Sequence, residues 1–176
     1  MDIEKESKLI QITIEHSLFR PYNQLIEFTE IEFYYFKEGV HDDESVHPHK
    51  LDAGMWRVHK SGIDLTFQHD SIEKKDGGIL IRGIKCEGEY INGPLRVLNF
   101  IFKKMGNAFD KNTIELKEKN INNELIYKTA RHGLGKTANE PYKSALYRYF
   151  LDVEKWNKKH FSNADLEKLK NQNECI

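Results

Sequence analysis

The sequence predicts one domain of mixed α/β class, and three stretches carry that expectation. Thr29-Glu30-Ile31-Glu32-Phe33-Tyr34-Tyr35-Phe36 crowds aromatic and β-branched residues into a short run, the composition of a β-strand. Ile79-Leu80-Ile81-Arg82-Gly83-Ile84 is almost continuously apolar, as a strand buried on both faces would be. Asn92-Gly93-Pro94 then opens a helix, with proline near its first turn and Leu95, Val97, Leu98, Ile101 and Phe102 at helical spacing.

The chain of 176 residues is long enough to bury one sizeable core. Its 10 Phe, 8 Tyr and 2 Trp exclude a disordered composition. The formal net charge of -1 lacks the strong basic excess of a typical nucleic-acid binder, although a local basic patch is compatible with it. Two cysteines, Cys86 and Cys175, give neither a metal motif nor a disulfide framework, which suits a reduced cytoplasmic setting. The charged start Met1-Asp2-Ile3-Glu4-Lys5-Glu6 has no apolar signal core, and no apolar run reaches the ~20 residues needed to span a bilayer. The expectation is a single domain over 1–176, with its core at about 20–157 and a polar helical tail at 158–176.

Taken in order, residues 1–20 alternate weakly and suit a strand or a short helix. Phe19-Arg20-Pro21-Tyr22-Asn23 reads as a turn. The strand that follows puts Glu30, Glu32 and Tyr34 on one face and Ile31, Phe33 and Tyr35 on the other. Two carboxylates on so apolar a strand are either a solvated polar face or a chemical tool. Lys37 to Lys50 is a polar loop with three histidines and four carboxylates; these suit a metal by type, but their spacing matches no metal motif. Trp56 to Phe67 reads as one strand in which Gly62 marks a bulge or a close approach, with Ile63, Leu65 and Phe67 opposite Asp64 and Thr66. Asp76-Gly77-Gly78 reads as a turn. In the next strand, parity places Arg82 with Leu80 and Ile84. There it needs a carboxylate, for which Glu30, Glu32 and Asp64 are candidates, or a route to solvent. Residues 107–124 read as loop and surface, and Glu124 to Thr129 as a strand. Arg131-His132-Gly133-Leu134-Gly135-Lys136 is a basic, glycine-bearing turn suited to phosphate without the spacing of a P-loop. Tyr147 to Leu151 reads as a last strand, and the tail from Trp156, with Asp165 to Lys170, as a surface helix.

The order of Glu30-Ile31-Glu32-Phe33-Tyr34, the Trp56–Phe67 stretch, Leu80-Ile81-Arg82-Gly83, Gly93-Pro94-Leu95, Arg131-His132-Gly133 and Tyr147-Arg148-Tyr149 with Trp156 resembles the alkyladenine (3-methyladenine, methylpurine-type) DNA glycosylase family. The resemblance runs from about residue 25 to 157. It implies a mixed domain around a curved, mostly antiparallel sheet flanked by helices. It also implies hydrolysis of the N-glycosidic bond of an alkylated purine in base-excision repair, with no metal or organic cofactor. On that resemblance Glu32 is the general base on a water, Arg82 orients the carboxylate and its water, and Tyr34 stacks on the flipped base. A histidine of the following loop closes the pocket, His47 by first choice and His41 by second, with His59 and Asp64 as further base-binding residues. The implied partner is damaged DNA, as a single strand or a flipped-out base, bound by a monomer. Ser61 stands where the family presses a tyrosine into the minor groove, and Asp64 stands in for an asparagine expected near the end of that strand. A non-catalytic nucleobase- or nucleotide-binding module using the same pocket is the alternative.

Overall fold

The computed structural model describes residues 18–19, 25–109, 114, 116–117, 126–136 and 138–151. Most of the N-terminal segment, Arg20 to Asn23 of the expected turn, Trp156 and the tail expected to be helical lie outside the described residues. The elements are β1 (Leu18–Phe19), β2 (Ile26–Lys37), β3 (Trp56–His59), β4 (Gly62–Asp70), β5 (Lys75–Cys86), β6 (Glu89–Asn92), α1 (Pro94–Met105), β7 (Leu116–Lys117), β8 (Tyr127–Thr129) and β9 (Arg148–Phe150).

The result is an α+β domain on an open sheet, and every strand pairing among the described residues is antiparallel. The main path runs β3-β4-β5-β2-β1-β7; β6 adds to β5, and β9 joins β2 and carries β8. The two long strands β2 and β5 pair from Ile26↔Cys86 to Lys37↔Lys75. They are the axis of the molecule, which is why the two most apolar stretches of the sequence are found there. One face of the sheet carries Ile31, Phe33, Ile63, Ile79, Ile81 and Ile84, and α1 covers it with Val97 and Ile101. Full burial of side chains of this size contributes about 1.5–3 kcal/mol each. Leu95 and Phe102, read as part of the helix's apolar stripe, are half exposed instead. No helix among the described residues is long and apolar enough to cross a membrane.

Four departures from the sequence reading bear on the site. The Trp56–Phe67 stretch is two strands, because Lys60 and Ser61 form a hairpin turn between His59 and its partner Gly62. Neither turn residue has positive φ, so the Asn-Gly type of hairpin signal is missing from the sequence. Gly62 is indeed a close approach: at φ 144°, a Cβ there would lie 2.9 Å from Pro94 Cβ at the start of α1. Gly77 and Gly78 sit inside β5 rather than in a turn, and the chain reverses at Ser71–Lys74. A Cβ on Gly77 would run into the Phe67 ring, so this glycine serves packing.

The fourth departure sets the polar face. Phe28 and Ile31 are both in the core although three residues apart, and the β2–β5 register shifts between them. On β5 the same change separates Ile81 from Ile84. Arg82 therefore does not share a face with Ile84. Paired irregularities turn the two core sides inward above and below, and leave Glu30, Glu32 and Arg82 together on the face away from α1.

Candidate active site

Register places the polar face in rows. Asp64, Leu80, Glu32 and Arg148 lie side by side across β4, β5, β2 and β9. One row along, Thr66, Gly78 and Tyr34 follow; on the other side Gly83, Glu30 and Phe150 are neighbours. Gly83 is obligatory there, since a Cβ would meet Glu30 Cβ at 2.8 Å and Thr29 Oγ1 at 2.9 Å.

Arg82 finds its carboxylates in Glu30 and Glu32. Its Nε donates to Glu30 Oε1 at 2.8 Å and its Nη1 to Glu32 Oε2 at 3.3 Å. Arg148 approaches from β9, with Nε donating to the same Glu30 oxygen at 2.7 Å and lying 3.7 Å from Glu32 Oε1. Glu32, fully buried at 0% exposure, also accepts the Tyr34 hydroxyl at 2.9 Å and the His132 backbone N–H at 2.7 Å. Two carboxylates and two guanidiniums cancel in charge, the condition under which such groups tolerate burial. Burial, and then the negative charge and hydrogen bond of Glu32, push the Tyr34 phenol far above its ordinary range, so it stays protonated and stays a donor.

A second buried pair holds this floor from behind. Arg131 Nη1 lies 2.7 Å from Asp43 Oδ2, with both side chains at 0% exposure. The guanidinium also donates to the Phe33 and Tyr142 carbonyls at 3.2 and 3.0 Å. It lies over the rings of Tyr34 at 4.6 Å and Tyr147 at 5.4 Å. The basic turn expected to face a phosphate thus spends its arginine inside the domain.

The remaining residues named from sequence are divided. His59 Nε2 is 2.9 Å from Asp64 Oδ1, and Asp64 leans over Gly78, its Oδ2 3.5 Å from where a Cβ would be. Gly78, which has no side chain, thus has Asp64 over it and Tyr34 and Thr66 as its cross-strand neighbours. His41 lies instead among aromatics, 4.3 Å from the Tyr142 ring and with Nε2 3.0 Å from the Tyr147 hydroxyl. His47 is exposed, and its carbonyl accepts from Arg57 Nη1 at 2.9 Å. Of the residues the sequence did not single out, Arg148 carried a signal, since strand alternation from Tyr149 turns it toward the glutamates. Asp43 was one of four carboxylates in a loop and carried none.

Burial holds the His41 pKa below its ordinary value. As pH falls through about 6.5, the unfolded chain binds this proton before the folded one does. The stabilisation from His41 is thus complete above about 6.5 and is lost as pH falls towards the lower folded value. Denaturant midpoints measured from pH 5 to 7 should fall with acidity in the wild type and fall less steeply in His41→Gln.

The glycines separate packing from access. Gly77→Ala and Gly83→Ala should each cost about 1–3 kcal/mol by overpacking. Gly78→Ala, whose Cβ makes ordinary contacts with Asp64, should change stability by under about 1 kcal/mol, as read from urea unfolding. No family model matches this chain, and no match is found among curated proteins.

Proposed function

We propose that the chain is a DNA glycosylase-like hydrolase that releases alkylated purine bases. The observation that carries this reading is the gathering of Glu32, Arg82 and Tyr34 on one sheet face beside Gly78 and Asp64. A purine lies over Gly78 beside the Tyr34 ring, with Asp64 and His59 at its polar edge. The longest hydrogen bond on Glu32, the 3.3 Å one from Arg82, is where a water enters. Glu32 takes a proton from that water as its oxygen attacks the anomeric carbon; the base departs with the electrons of the N-glycosidic bond. The Glu32 charge also stabilises the oxocarbenium-like state. A purine alkylated at N3 or N7 is cationic in the nucleotide and leaves neutral, so no acid is needed at that leaving group.

Ser61, in the β3–β4 turn, offers no wedge between base pairs, and the net charge is -1. Single strands and already extruded nucleotides are thus preferred over intact duplex, and binding weakens only slightly with salt. A second reading, a nucleobase-binding module without turnover, is favoured by one observation: both Glu32 oxygens are already engaged and the residue is fully buried.

Titration with 3-methyladenine, followed by quenching of aromatic emission, tests the pocket common to both readings. Saturable binding is expected in the wild type, with at least tenfold weaker binding in Gly78→Val. Equal binding by the two proteins would remove Gly78 as the floor.

A further inference from the structure

Away from the glutamates, on the same sheet face, we infer that His49, His69 and Asp76 form a site for a divalent transition-metal ion of the zinc or iron(II) type. His69 and Asp76 are cross-strand partners on β4 and β5, and His49 reaches them from the loop after β2. One ligand atom from each lies within 4.8 Å of the other two. Asp76 Oδ1 accepts from His69 Nδ1 at 3.0 Å, a hydrogen that a metal ion displaces, and lies 3.9 Å from His49 Nδ1. Metal bonds of about 2.0–2.2 Å hold their ligand atoms roughly 3.0–3.5 Å apart, so a small rotation of His49 closes the set.

The tautomer of His49 fits this use. Its Nε2 faces the Gly77 carbonyl at 3.2 Å, and a carbonyl only accepts, so Nε2 carries the hydrogen and Nδ1 the lone pair. A backbone carbonyl on the far nitrogen is how metal-bound histidines are commonly oriented. The Leu51 amide contacts Nδ1 at 3.3 Å, a long bond that a metal displaces. The His49 side chain is only 4% exposed, unusual for a loop histidine with no buried role. Two nitrogens and one oxygen select zinc, iron(II) or cobalt over calcium and magnesium, which take oxygen ligands. Asp76 is four residues along β5 from Leu80, about 13 Å at strand rise, so this centre is separate from Glu32. Its effect is to tie the loop carrying His49 to the β4–β5 hairpin.

Metal-free protein titrated with Zn²⁺ by calorimetry, and with Co²⁺ by visible absorption, tests the site. One ion per chain is expected, with a higher melting temperature in zinc. His69→Ala and Asp76→Asn should each weaken binding at least tenfold, while His132→Ala, an exposed histidine elsewhere, leaves it unchanged. Asp76 also accepts the His49 amide, so if Asp76→Asn fails to fold, His69→Ala decides alone. Absence of uptake by the wild type, or equal uptake by His69→Ala, overturns the inference.

Discussion

Arg131→Ala should cost about 3–5 kcal/mol, a large part of the stability of a domain of this size. The variant leaves Asp43 buried and unpaired, and strips the Phe33 and Tyr142 carbonyls of their donor. It also removes the cation from the Tyr34 and Tyr147 rings. A well-packed neutral pair tolerates such a site better than a lone charge does. Arg131→Met combined with Asp43→Asn should therefore lose less than the sum of the two single changes, because the amide that replaces the Asp43 carboxylate can still accept from Ser45. Urea unfolding of the double variant and its two single variants measures the coupling. Additive losses would mean that the pair contributes nothing as a pair.

Glu32→Gln should separate folding from chemistry. The amide oxygen still accepts from Tyr34 or His132, but Arg82 and Arg148 lose one of the two charges that compensate them. A loss of about 1.5–3 kcal/mol is expected, the value of a hydrogen bond to a charged group. Removing a general base should cost about 10²–10⁴ in rate. Glu30→Gln is the control: Glu30 also pairs with both arginines, so its loss should destabilise comparably. Without a water to activate, it should leave most of the rate. Stability and activity falling in parallel in both variants would make Glu32 a structural ion and nothing more.

The strands that hold the site were legible in the sequence because they are its most apolar runs. Alternation puts Glu30, Glu32 and Tyr34 together, and the cost of burying Arg82 leaves Glu30, Glu32, Asp64 or a route to solvent as its options, of which the two glutamates hold it. The β-bulges were not legible, because a one-residue shift leaves composition untouched and only reverses which side chains meet. Simple parity places Ile84 on the face of Arg82 for that reason, whereas Ile84 lies in the core. The Asp43–Arg131 pair joins residues far apart in the chain, and no local pattern announces it. The resemblance puts His41 and His47 at the base pocket, from a loop whose course the sequence does not determine. That course is set by contacts such as Asp42 N–H to the Tyr142 hydroxyl and Asn139 Nδ2 to the Asp42 carbonyl.

The most direct test of the proposed function is release of free base from methylated DNA, single-stranded and duplex, by wild type, Glu32→Gln and Glu30→Gln. Release of methylpurine by the wild type is expected, faster from single strands, reduced at least ~100-fold in Glu32→Gln and largely kept in Glu30→Gln. Equal release by wild type and Glu32→Gln would contradict the role of Glu32. Absence of release by a wild type that still binds 3-methyladenine would make the chain a binding module.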